Sequence, residues 1–236
     1  DSVASRGLGD VYKRQIAMNE IKKAEIPTFA IAARAVAGGT YASSFFQHDF
    51  IIIESKSENG FQLNIENLKA SITTKTKLLI LNSPANPTGR VMPRKELESI
   101  AEILRNNPKV MIMSDEIYEF LVSTEKDHIS NGEVAPDLLN RIFIVNGFAK
   151  AWAMTGWRIG YLSGPVDVIN KTIALQSQST SNVCSFAQRG ALAALLGSRD
   201  CVTTMSRKYS HRRKLLTKRL KEIQGISIVP PKGAFY

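Results

Sequence analysis

Three short runs constrain this chain most: "KLLILN" (Lys77 to Asn82), "KVMIMSD" (Lys109 to Asp115) and "RIFIVNG" (Arg141 to Gly147). A strand with one wet face alternates apolar and polar residues. The centres of these runs do not alternate, which is the pattern of strands buried on both faces of a parallel sheet. Between the first two lies the turn-rich "SPANPTG", then a helical pattern in which Pro93 suits the first turn and Leu97, Ile100, Ala101 and Leu104 recur at helical spacing. The expectation is an α/β chain with a mostly parallel sheet sandwiched by helices. In such sheets ligands gather beyond the carboxyl ends of the strands. Past Gly164 helices dominate, over about 165 to 178, 185 to 196 and 200 to 224, and "GISIVP" then reads as a strand opening a smaller α+β domain.

Composition excludes several function classes. With 236 residues and 44% hydrophobic content, the chain suits one large domain or most of two, and not a disordered segment. The net charge of +10 invites a nucleic-acid partner, yet much of the excess sits in "SRKYSHRRKLLTKRLKEIQG". There the basic residues spread around a helix that keeps Leu215, Leu216, Leu220 and Ile223 apolar, which describes a solvated helix face. No nucleic-acid partner is expected. Cys184 and Cys201 cannot form a disulfide framework and have no metal-ligand spacing with His48, His128 or His211. Both are expected to be small buried or half-buried residues, and no metal is expected. No apolar run approaches a membrane span and no signal-peptide pattern occurs, so the expected location is cytoplasmic, without a membrane partner.

The chemistry concentrates around one lysine. In "FAKAWAMTGWRIGY", Lys150 is followed eight positions later by Arg158, with no other charge between them. Upstream, "NSPANPTGR" ends a predicted strand and supplies Asn86, and "SDEIYEF" ends another and supplies Asp115 and Tyr118. Taken alone, an Asn-Pro-Thr-Gly turn is only a turn and an aspartate at a strand end is only a helix cap. In this order, however, "NSPANPTG", "SDEIY" and "AKAWAMTGWRIGY" resemble the signature of class I and II aminotransferases, the aspartate aminotransferase fold of pyridoxal-phosphate enzymes. "YLSGP", "QSQSTSNVCSFAQ" and "PKGAFY" continue the resemblance, which covers about Glu25 to Tyr236.

The resemblance implies pyridoxal 5'-phosphate as cofactor and a role for each residue. Lys150 would form the Schiff base with the cofactor aldehyde, then move the proton between the substrate α-carbon and the cofactor. A lysine does this once its pKa is brought down, which an apolar site and a nearby cation accomplish. Asp115 would pair with the pyridine nitrogen, and Tyr118 and Asn86 would hydrogen-bond the ring's phenolic oxygen. Arg158 would clamp the phosphate with its planar fork. Phe29, in "IPTFAI", falls where relatives place an aromatic that stacks on the cofactor ring, and it reads equally as a core residue. The Asn86–Pro87 peptide bond is implied to be cis.

Some positions depart from the family pattern. Where many relatives have hydroxyl residues just before the lysine, this chain has Gly147 and Ala149, so phosphate binding leans on Arg158. "STSN" (Ser179 to Asn182) resembles the bacterial aspartate or prephenate subgroup, which implies aspartate or glutamate as amino donor and a 2-oxo acid as acceptor. The resemblance also implies a homodimer with shared active sites. A carbon-sulfur lyase on the same fold, or an aminotransferase-like sensor domain of a transcription regulator, remains open at this point.

Finally, "SRGLGDVYKRQ" resembles the in-frame translation of a transposase sequencing adaptor. The expected division is therefore 1–15 as an adaptor artefact, 16–200 as a partial cofactor-binding large domain, and 201–236 as an interdomain helix with the start of a small domain. The chain reads as a fragment. Its phosphate-cradling glycine loop is expected upstream of Ile16, and its carboxylate-gripping arginine is expected beyond Tyr236. Alone it is expected to transaminate poorly or not at all.

Overall fold

The computed structural model describes residues 29–33, 50–123 and 128–236, with side chains from residue 51 onward. The three apolar runs are strands, as their unbroken hydrophobicity predicts: β3 (Thr76–Asn82), β4 (Met111–Asp115) and β5 (Ile142–Gly147). With β1 (Phe29–Ala33), β2 (Phe50–Ile53) and β6 (Gly160–Ser163) they form a six-stranded sheet of order β2-β1-β3-β4-β5-β6. Every pairing from β2 across to β5 is parallel, and β6 adds antiparallel to β5. Residues 1–15, which resemble an adaptor translation, lie outside the described residues.

Burial follows the sequence pattern. Leu79 and Leu81 of β3 are 0% exposed and Ile112 of β4 is 1% exposed. Helix α1 (Ile65–Ser71) starts where the Asn64 side chain accepts a bond from the Asn67 amide at 2.9 Å, and it buries Leu68. Helix α2 (Arg94–Arg105) buries Leu97, Ile100, Ala101 and Leu104, the predicted apolar face, together with Ile103. Pro93 stands one residue before it, at the N-cap. Each of these large side chains contributes about 1.5–3 kcal/mol through burial. At the far end of α2, Arg141 donates to the carbonyls of Leu104 (3.0 Å), Asn107 (3.0 Å) and Val110 (2.9 Å). One guanidinium thus serves carbonyls left over where the helix stops and ties that end to the approach to β4.

After α3 (Asn131–Val134) and α4 (Phe148–Ala151), the chain continues as α5 (Val166–Ser179), α6 (Ser185–Leu196) and α7 (Asp200–Lys221). No helix of the described residues is long and apolar enough to cross a membrane. Two expectations are corrected here. Cys184 and Cys201 are exposed, because they sit at the starts of α6 and α7, helices whose only buried residues are Ala187, Ala191 and Val202. "GISIVP" makes no strand ladder, since no neighbouring strand among the described residues offers it a partner. Among the apolar positions of α7, Leu215 and Leu216 are 50% and 59% exposed.

Candidate active site

The parallel register sets the site. Asn82 lies opposite Asp115 and Asp115 opposite Val145, so β3, β4 and β5 end along one edge, and each of the three motifs leaves the sheet there. Asn82 stitches two of them together. Its Oδ1 accepts from the Asn86 amide at 2.8 Å, and its Nδ2 donates to the Asp115 carbonyl at 3.1 Å. The peptide bonds before Pro84 and Pro87 are both cis. The turn closes with the Ala85 amide on the Arg90 carbonyl (2.7 Å) and the Gly89 amide on the Ala85 carbonyl (2.8 Å).

Beyond β4, the Ile117 amide donates to Asp115 Oδ1 at 3.2 Å. Burial pushes the Asp115 carboxyl above its ordinary value, the Ile117 bond opposes this, and neighbouring Glu116 adds to it. Asp115 has no ion-pair partner among the described residues. Glu116 is turned inward, 2% exposed. It accepts from the hydroxyls of Ser114 (2.8 Å) and Ser130 (3.0 Å) and from the Asn131 amide (3.3 Å), and it meets His128 Nε2 at 3.2 Å. This network fastens the segment carrying Asp115 and Tyr118 to the loop that returns before α3. Tyr118 is 2% exposed, and burial first, then its bond to Tyr236, hold its hydroxyl well above the ordinary tyrosine value.

Beyond β5, the paired residues Gly147 and Gly160 allow the backbones to touch. A Cβ on Gly147 would lie 2.9 Å from Gly160 Cα and 3.1 Å from the Ile159 carbonyl. This explains why a glycine stands where the resemblance leads one to expect a hydroxyl residue, and it sets the loops of Lys150 and Arg158 side by side. Lys150 Nζ stands 5.6 Å from the Tyr118 ring centroid and 5.2 Å from that of Phe235, within cation–π range of both. Arg158 is exposed, has the left-handed φ of 53° and donates to the Thr155 carbonyl at 3.1 Å.

A fourth element completes the site. Gly89, at φ 63°, takes the approach of Pro231 and Gly233 so closely that a Cβ would lie 2.4 Å from Pro231 Cβ. Its carbonyl accepts from the amides of Lys232 (2.8 Å) and Gly233 (2.7 Å). Arg213 of α7 donates to the carbonyls of Lys232 (2.8 Å) and Ala234 (3.0 Å). Held this way, the segment delivers Phe235 and Tyr236 to the site, and Asn86 Nδ2 donates to the Tyr236 hydroxyl at 2.9 Å while the hydroxyls of Tyr118 and Tyr236 share a bond at 3.2 Å.

The structure thus brings Asn86, Tyr118 and Lys150 together and sets Asp115 at the end of the central strand. Arg158 makes no described bond to any of them. Phe29 lies on β1, and its proposed ring contact falls on a side chain outside the described part. Sequence reasoning missed Asn82, Glu116, Phe235 and Tyr236. "PKGAFY" signalled the last two as a motif without giving them a task.

Comparison with known proteins agrees with this geometry. The profile of the family described as aminotransferase class I and II matches residues 44–236. The chain is 43% identical over 201 residues to the aspartate/prephenate aminotransferase of Cereibacter sphaeroides, covering 85% of this chain and 48% of that protein. It is 42% identical over 187 residues to an aspartate aminotransferase of Bacillus sp. strain YM-2, covering 79% of this chain and 47% of that protein. The aspartate aminotransferase structure from Rhizobium meliloti superposes with a TM-score of 0.85 at 32% identity, over 94% of this chain and 56% of that one. The chain spans about half the length of the curated relatives it matches.

Proposed function

Because this chain belongs to the class I and II aminotransferases, we propose that the protein it represents moves an amino group between an amino acid and a 2-oxo acid with pyridoxal 5'-phosphate. Aspartate or glutamate is the proposed donor, in keeping with the named activity of the relatives. The observation that carries the reading is the Tyr236 phenol oxygen held by Asn86 Nδ2 and the Tyr118 hydroxyl, with Lys150 Nζ over the Tyr118 ring. The cofactor ring carries a phenolic oxygen of the same chemistry, so the donor set fits it. Asp115 fits as well, since a half-buried carboxyl with no ion-pair partner among the described residues suits a protonated ring nitrogen.

When bound, the cofactor supplies an electron sink for the carbanion left at the substrate α-carbon. The chain's own residues supply the rest. Lys150 would hold the cofactor, and its Nζ would take and return the α-proton of the substrate. Asp115 keeps the ring nitrogen protonated, Asn86 and Tyr118 fix the phenolic oxygen, and Arg158 binds the phosphate by its fork. Because Gly147 and Ala149 offer no hydroxyl, Arg158 carries more of that task. On the same reading Phe29 would stack on the ring, residues 16–200 would belong to the cofactor-binding domain and 201–236 would lead into a smaller one, and two copies would pair.

The test is to titrate the chain with pyridoxal phosphate and follow visible absorbance that Lys150→Ala abolishes, with borohydride reduction and peptide mapping to locate the bond. The whole protein that this chain represents, loaded with cofactor, is then mixed with aspartate. Stoichiometric release of oxaloacetate, after which 2-oxoglutarate takes up the amino group, leaves as glutamate and restores the starting absorbance, is the expected result, with little or none from this chain alone. Release of ammonia with cleavage of a carbon-sulfur substrate would replace the reading with the lyase.

A further inference from the structure

Asn86 and Tyr118 close on an oxygen that the chain itself provides. The Tyr236 hydroxyl takes the Asn86 bond at 2.9 Å and the Tyr118 bond at 3.2 Å. Its ring stands edge-on to Tyr118 at 6.1 Å between centroids and tilted on Phe235 at 5.0 Å. A hydroxyl on an aromatic ring, bound by the pair assigned to the cofactor's ring hydroxyl, is a chemical likeness of that group. We propose that Tyr236 is a displaceable plug: its phenol and the cofactor compete for Asn86 and Tyr118, and loading requires Tyr236 to leave. This rests on the cofactor reading above.

The backbone of the segment is fixed, while the side chain borders open space. Lys232 and Gly233 are bonded to Gly89, Arg213 holds the Lys232 and Ala234 carbonyls, and Ala234 is 0% exposed. Tyr236 itself is 47% exposed and lines a cavity of about 1190 Å³ shared with Asn86, Thr88, Tyr209 and Arg212. The ring can therefore rotate into that space without unfastening the segment.

A competing internal ligand lowers apparent affinity by the fraction of chains it blocks. Two hydrogen bonds of ordinary net strength make that roughly tenfold. The experiment titrates pyridoxal phosphate into the full chain and into Tyr236→Phe, which keeps the ring and removes the oxygen, reading the Lys150-dependent absorbance. Thermal midpoints are recorded with and without the cofactor. The plug predicts half-loading at a roughly tenfold lower cofactor concentration in Y236F, and a lowered midpoint only without the cofactor. Unchanged or weaker loading of Y236F overturns it, as does an equal midpoint loss in both states, which would mean that Tyr236 stays bonded beside the cofactor. If the unsubstituted chain gives no Lys150-dependent absorbance, the cofactor reading itself falls and the plug with it. If that chain loads and Y236F behaves identically, only the plug falls.

Discussion

Replacing Glu116 by alanine should cost far more stability than a residue outside the chemistry suggests. Its carboxylate serves two serine hydroxyls, the Asn131 amide and His128 Nε2. The hydroxyls can turn elsewhere, and Ser114 already accepts from Asn131 Nδ2 at 2.8 Å. The Asn131 amide and the His128 ring, whose side chain is only 8% exposed, cannot. Each buried polar group orphaned in this way costs about 1–3 kcal/mol, giving about 4 kcal/mol together. For a chain of this size that lowers the midpoint of thermal unfolding by roughly 8–16 °C. Glu116→Gln is the control. Its amide oxygen can keep the three bonds made by Oε1, and its NH2 can face His128, so the cost should fall to about 1 kcal/mol. Because Asp115 and Tyr118 flank the residue, E116A should also weaken cofactor uptake, while E116Q should leave it nearly intact. A midpoint drop in E116A below about 3 °C, or equal drops in the two variants, would refute the claim that these bonds hold the segment.

Gly147→Ser, which restores the hydroxyl expected from the resemblance, should destabilise by about 1–3 kcal/mol because its Cβ meets backbone; an unchanged urea midpoint would contradict that steric account. Asp115 gives a pH signature: its carboxyl is raised in the folded chain, so the folded state binds the proton more tightly and stability falls as pH climbs from the ordinary aspartate value through the raised one. Asp115→Asn should flatten that stretch of the midpoint-versus-pH curve and gain stability above it, while losing cofactor retention; identical curves would remove burial as the cause. Arg213→Ala should speed amide exchange at Lys232 and Gly233 by at least about tenfold, and unchanged protection would show that Gly89 alone holds the segment.

The strands that build the sheet edge were legible because burial on both faces leaves no alternation to misread. The helix α2 was legible because its apolar stripe has one period. β6 was not, since its residues are mostly exposed or half-exposed and it owes its pairing to the glycine contact with β5. Asn86, Asp115, Tyr118 and Lys150 could be picked out because the three motifs that carry them resemble, in this order, the aminotransferase signature; taken alone each reads as a turn, a cap or a surface lysine. Glu116 hid in plain view within "SDEIY": its role depends on a loop that comes back at residues 128–131, and local patterning carries no record of that return. "GISIVP" and the two cysteines failed for the opposite reason, since local apolarity suggested cover that no described neighbour provides.

The bond between Asn86 and Tyr236 joins residues 150 apart, whereas that between Asn82 and Asp115 spans 33. Closing the longer loop costs about 1.3 kcal/mol more in chain entropy. Translation adds a second delay, because Asn86, Tyr118 and Lys150 leave the ribosome before Tyr236 has been made. A nascent chain therefore displays its receptor pair for a time with no tyrosine of its own to fill it. Pyridoxal phosphate present during cell-free synthesis should then load sooner than the same amount added to the finished chain, and to the same final extent, which makes the moment of cofactor capture a property of the order in which the residues are synthesised.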